Sequence, residues 1–488
     1  MTTILASLEG ERVELSDDSL ADLRMRLRGD ALTPSDDGYA DVRAPFNAMH
    51  PDRASLVVRC AGTADVVDAV NFARENGIEL TLRGGGHSIA GLSSSEGGMV
   101  VDLSRMRAVE VDPEAKLARV QGGAVLGDVD RETQAFGLAT PLGAVSETGV
   151  AGLTLGGGYG WLRRKFGLAC DNLVSAQVVC ADGQVRTASA DVNPDLFWAI
   201  RGGGGNFGVV TSFTFRLHPI GPIVAFAGVF YPIDEAAALL RAFRDYADAA
   251  SDEVTPEAIV VASRMPADPH LPEAVYGRQC VIVAGVYAGD PDQGMKALQP
   301  VRELGTPLAD ISQPMPFTVV QSAFDGFFPR GQLQSYWKSL YVAALADDAI
   351  DALVERAEQR PSGHSEFEFV YLDIQPMGGA IDRVESDATA FGERSAAHLI
   401  AIDGNWTDPT ENAENVAWVR ETWSDLDAKF GTGSTYLNFS GRVDELPNAG
   451  VDDALARNLR RLAEVKATYD ADNLFRRNNN ILPAAADG

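Results

Sequence analysis

Glycine is concentrated in this chain in three clusters, all within the first 208 residues. The first is Arg83-Gly84-Gly85-Gly86-His87-Ser88, directly after 78–82, which reads as a short strand. The second starts at Thr148 and places Gly149, Gly152, Gly156, Gly157 and Gly158 ahead of Tyr159, a density expected to exclude a helix. The third, Gly202-Gly203-Gly204-Gly205-Asn206-Phe207-Gly208, precedes Val209 and a strand at 209–217. Such backbone lets N–H groups converge on an anion and lets a flat ligand lie against the main chain. Any one cluster alone could be a turn. The spacing matches neither the dinucleotide fingerprint nor a P-loop. Three clusters in one predicted domain point instead to a large phosphate-bearing cofactor.

Around these loops the chain alternates short strands (78–82, 99–103, 117–120) with helices (64–76, 126–134). A hairpin at 173–180 and 185–188 turns at Asp182-Gly183. After Pro219 the pattern changes. Extended stretches at 224–231, 258–262, 279–287, 333–344, 366–375 and 398–406 are separated by helical ones at 233–249, 347–359 and 409–429. The fold class expected is α+β, with a large antiparallel sheet carrying helices on one face. A last amphipathic helix is expected at 451–469.

Charge and cysteine usage narrow the function. Acidic residues number 69 against 41 basic ones, a formal charge of −28. That argues against nucleic acid and anionic membrane as partners. No apolar run approaches the roughly 18–20 residues that span a bilayer. The start meets Glu9 and Glu11 without a basic and then apolar leader, so a cytoplasmic location is expected. Cys60, Cys170, Cys180 and Cys280 form no CxxC pair, and six scattered histidines offer no metal-ligand spacing. Residues 436–440 alternate, which predicts a strand with Tyr436, Asn438 and Ser440 on a polar face. Tyr371, Asp373 and Gln375 alternate likewise.

The three glycine clusters, Trp161-Leu162-Arg163-Arg164, Asp171-Asn172, Tyr436-Leu437-Asn438 and the tail around Asn473-Leu474-Phe475 and Asn480-Ile481 form a joint pattern. It resembles the FAD-linked oxidases of the vanillyl-alcohol-oxidase / p-cresol-methylhydroxylase fold, in the berberine-bridge-enzyme-like branch. The resemblance covers nearly the whole chain. It implies a two-part FAD-binding domain, residues 1–217 and 445–488, around a substrate domain of 218–444. It implies that FAD is held by Arg83, Gly84, Gly85, Gly86, His87 and Ser88 of the first loop. From the second come Thr148, Gly149, Gly152, Gly156, Gly157, Gly158 and Tyr159. Gly208, Val209, Asn438, Asn478 and Asn480 complete the set.

In this family the histidine matching His87 bonds covalently to the 8α-methyl carbon of the flavin. Val145 stands where many relatives add a second, cysteinyl bond, so the chain resembles the singly linked members. Thr148 matches the position beside the edge where oxygen reacts, and its small side chain favours an oxidase. Tyr436 is the expected base, with Tyr159 beside it, and Asp373, Gln375 and Asn438 are candidates to meet substrate. The expected activity is that of an FAD-dependent oxidase taking a hydride from an alcohol or amine carbon of a small organic substrate, with O2 reduced to H2O2. A flavin dehydrogenase, an oxygenating flavoenzyme of secondary metabolism, and a flavoprotein that stores or senses FAD are the alternatives. The protein is expected to be a monomer or homodimer.

Overall fold

The computed structural model describes residues 3–40, 42, 44–51, 53–267, 271–440 and 458–485. The segments after Pro219 build the largest sheet. Across it the strands run Ala309–Asp310, Ile223–Pro232, Cys280–Tyr287, Val254–Val261, Tyr371–Pro376, His398–Trp406 and Gln334–Val342, with Gln313–Pro316 also paired to Ile223–Pro232. Every pair is antiparallel. These strands are apolar at both parities because both faces are covered. Ala227, Val229, Val260, Val283 and Ile402 pack under the helices Ala236–Ala249, Asp347–Glu358 and Asn412–Phe430. Residues of the other parity, among them Phe230, Ile259, Trp337 and Tyr371, form a second cluster on the opposite face.

All six extended stretches contain strands, but Val254–Val261 begins four residues before the expected start. Pro256 lies in the part of the strand ahead of the expected start. In the sheet it lies opposite Gly285, while the neighbour Tyr371–Pro376 pairs only from Ala258 onward. Proline thus stands where one side of the strand is unpaired, a setting strands tolerate.

Among the described residues the first 217 carry a four-stranded and a five-stranded sheet, besides two-stranded pairings at Thr3–Ala6 with Arg12–Leu15 and at Leu138–Ala139 with His218–Pro219. In the four-stranded sheet, Leu56–Arg59 and Leu80–Arg83 run parallel to Met99–Asp102. The five-stranded sheet is antiparallel, ordered Val185–Ser189, Leu173–Val179, Val209–Arg216, Leu117–Gln121, Val109–Asp112. The expected hairpin is present, with Gly183 at φ +76 in its turn. The last helix, Leu459–Tyr469, returns to this half of the molecule. Its Leu462, Val465 and Tyr469 join the core of Val178 and Phe213, and Leu474 and Phe475 join that of Leu56 and Val101. Residues 451–457 of the expected helix lie outside the described residues.

Two local expectations are corrected. The second glycine cluster does contain a helix, Val150–Leu155; only Gly152 falls inside it, and Gly149 and Gly156 mark its ends. Residues 436–440 are not a strand. Leu437–Phe439 is a single 3-10 turn, closed by Phe439 N–H donating to the Tyr436 carbonyl at 2.9 Å and Ser440 Oγ donating to it at 3.0 Å. Alternation over only five residues does not separate a strand from such a turn.

Candidate active site

A cavity of about 370 Å³ lies between the glycine loops and the face of the large sheet opposite its helices. The first two loops cross at backbone contact: a Cβ on Gly85 would stand 2.3 Å from Gly149 Cα, which only glycine avoids. This crossing brings His87 and Thr148 to the same cavity wall. Phe46 stacks on the His87 ring, with centroids 3.9 Å apart and planes 17° from parallel. Arg330, from the sheet half of the chain, donates to Gly85 O at 2.6 Å and to Glu147 O at 3.2 Å, so one guanidinium fastens both loops. Neither Phe46 nor Arg330 carries a motif that sequence reading could have used.

The wall nearest the loops is bare backbone. No atom lies within 4 Å of where a Cβ would stand on Gly152 or Gly205, and both residues line the cavity. Asn478 also lines it, and its buried Oδ1 has no hydrogen-bond partner. A long ligand with a flat ring and polar groups fits this cradle, as FAD requires. Of the residues expected to hold FAD, Gly84, Gly85, Gly86, His87, Ser88, Thr148, Gly149, Gly152, Gly156, Tyr159, Gly208, Val209, Asn438 and Asn478 line the cavity. Arg83, Gly157, Gly158 and Asn480 do not. Arg83 Nε donates to Ser93 O at 3.0 Å, and Gly157 lies against the Phe391 ring.

Lys466 holds the returning tail in place. Its buried ammonium donates to Asn206 O at 2.7 Å, Asp470 Oδ2 at 2.6 Å and Phe475 O at 3.0 Å. It thereby joins the third glycine loop to the residues just before Asn478.

At the centre, Tyr159 and Tyr436 meet edge to face, with centroids 4.4 Å apart. The Tyr159 and Tyr341 hydroxyls are 2.6 Å apart. The Tyr436 hydroxyl oxygen accepts from Gly158 N–H at 3.1 Å and from Asn438 Nδ2 at 2.9 Å. Burial nevertheless pushes both the Tyr159 and the Tyr436 phenol above the usual tyrosine value.

The sheet end carries Glu257, Asp373 and Asp403, with Tyr371, Gln375 and Arg163. Gln375 Nε2 donates to Asp373 Oδ2, and Tyr371 OH donates to Asp403 Oδ2 at 2.8 Å. Burial raises all three carboxyls, Asp403 to about 8. Asp373 and Gln375 were expected from the sequence; Glu257 and Asp403 were not. A lone acidic residue in the stretch 398–406 was the available signal for Asp403.

Among the described residues no helix is long and apolar enough to cross a membrane. A family model described as an FAD binding domain matches residues 54–189, and one described as berberine and berberine like matches residues 449–482. The uncharacterized FAD-linked oxidoreductase YgaK of Bacillus subtilis (strain 168) is 31% identical over 469 residues, covering 94% of this chain and 98% of that protein. The (R)-6-hydroxynicotine oxidase of Paenarthrobacter nicotinovorans is 29% identical over 478 residues, covering 94% and 98%. A crystal structure of 6-hydroxy-D-nicotine oxidase from Arthrobacter nicotinovorans matches with a TM-score of 0.82 at 28% identity, covering 94% of this chain and 98% of that one.

Proposed function

Since the chain belongs to the FAD-linked oxidoreductases of the berberine-bridge-enzyme-like family, on the vanillyl-alcohol-oxidase fold, we propose that it is an oxidase acting on an alcohol or amine carbon of a small organic substrate. Bound FAD supplies the hydride acceptor and the site where O2 is reduced to H2O2. The observation that carries the reading is the single cavity itself, which joins bare glycine backbone on one wall to tyrosines and carboxyls on the other.

His87 holds FAD covalently, its ring fixed by the stacked Phe46 and its loop by Arg330. A covalent tether prevents cofactor loss. Val145 offers no thiol for a second bond. Thr148 keeps the approach for oxygen open because its side chain is small. Tyr436, as the phenolate formed once its own proton has left, takes the proton that leaves the substrate with the hydride, and Tyr159 orients the substrate. Asp373 is the second candidate base, because its carboxyl lies on the cavity wall, where burial raises its affinity for a proton.

An oxygen electrode with a panel of amines and alcohols tests the activity. Oxygen uptake with equimolar peroxide is expected, and Thr148→Leu should slow reoxidation by air while substrate still bleaches the flavin anaerobically. Turnover that needs an artificial electron acceptor, with no oxygen uptake, would make the enzyme a dehydrogenase.

A further inference from the structure

Three carboxyls crowd the sheet end of the cavity, more than one proton transfer requires. Glu257 is two residues from Ile259, which pairs with Asp373; Asp403 pairs with Tyr371, two residues from Asp373. Side chains two apart share a face, and diagonal neighbours across a sheet lie within reach of one another. Glu257, Asp373 and Asp403 therefore share the cavity face, at 8%, 5% and 3% exposure. Glu257 and Asp373 are close enough to share a hydrogen bond. Asp403 Oδ1 is buried on the cavity wall and has no hydrogen-bond partner.

The positive charge bearing on Glu257 and Asp373 is that of Arg163. Its guanidinium is already engaged with the carbonyls of Gly160, Pro256 and Pro376, at 3.2, 3.5 and 3.3 Å. Three acids against one committed cation leave the site short of positive charge; burial therefore favours their protonated forms, and a cation entering beside them would favour ionisation. Among the described residues these acids do not form a group that could hold a metal ion. Beside them the wall is aromatic, with Phe328, Trp337 and Phe369. Aromatic faces favour a cation and pack against an apolar body.

We infer that this end of the cavity is a subsite for an organic ammonium ion, and that the substrate is a protonated amine with an apolar or aromatic body, held by Glu257 and Asp403. The inference rests on the oxidase reading and narrows its substrate to amines over neutral polyols. Asp403 and Glu257 act here as binding residues, their carboxyls giving up a proton as the ammonium enters.

Equilibrium dialysis of anaerobic holoenzyme whose flavin has been reduced beforehand tests this, because no turnover can follow binding. The probes are benzylammonium, benzyl alcohol and benzoate. Wild-type enzyme should bind benzylammonium at least about tenfold more tightly than either of the others. Asp403→Asn and Glu257→Gln should each reduce that preference at least threefold, with the flavin spectrum retained. Equal affinities in the wild type, or no benzylammonium binding at millimolar concentration, would overturn the proposal without need of any variant. So would an unchanged preference in a double variant with a normal flavin spectrum. Failure of the oxidase reading would look different: no oxygen uptake in the electrode, with the cation preference intact.

Discussion

Two opposing influences act on the Tyr436 hydroxyl. Two N–H donors on its oxygen favour the phenolate, while complete burial disfavours it more strongly and raises the phenol above its usual value. To act as the base this phenol must first lose its own proton, which a positive charge brought in by the substrate would favour. Tyr436→Phe removes the acceptor with little change in volume, so flavin content and folding should persist. Anaerobic flavin reduction by substrate should slow at least about tenfold, because a positioned acceptor typically contributes 10²–10⁴-fold. The effect should not add to that of Tyr159→Phe, since the two rings are in contact. If Tyr436→Phe reduces at the wild-type rate and Asp373→Asn does not, the proton goes to the sheet and Asp373 is the base.

At the scale of elements, Asp403 makes the strand His398–Trp406 sensitive to pH. In an unfolded chain its carboxyl titrates near 3.8; in the fold, burial raises it to about 8. Between those values the folded protein keeps a proton that the unfolded chain releases. The contribution of this group to stability is therefore complete below its unfolded value and is lost as pH rises through the folded one. Arg163, Glu257, Tyr371 and Asp373 face the same space and share the titration. Melting temperature should fall between about pH 5 and pH 8.5 more steeply in the wild type than in Asp403→Asn; parallel profiles would contradict this. The strands were legible in the sequence because both their faces are buried, which leaves long apolar runs with turn residues between them. Their register was not, and register is what gathers Glu257, Asp373 and Asp403. Glu257 was further hidden by Pro256, which reads as the end of a strand. The turn at 437–439 escaped because its polar and apolar residues alternate as a short strand's do. The first and third glycine clusters were legible as loops, while the second hid the helix Val150–Leu155, and that Gly85 and Gly149 touch follows only from the path of the whole chain.

On the scale of the molecule, one unit is built from sequence-distant pieces. We propose the division expected from the sequence, an FAD-binding half of 1–217 and 445–488 around a substrate half of 218–444; the cores that Leu462, Val465, Leu474 and Phe475 enter support it. Lys466 is the fastening between the pieces. Lys466→Met leaves the Asp470 carboxylate buried without its cation, which should cost about 3–5 kcal/mol. A thermal melt should show the loss, and the flavin content should fall because Asn478 follows directly in the chain. The central claim, an FAD enzyme whose cofactor is bonded to His87, has a direct test that needs no substrate. Acid-precipitated, washed protein is digested and its peptides are weighed. A yellow pellet and a His87 peptide heavier by the mass of FAD are predicted; release of all the flavin into the supernatant, with the His87 peptide unmodified, would contradict the account.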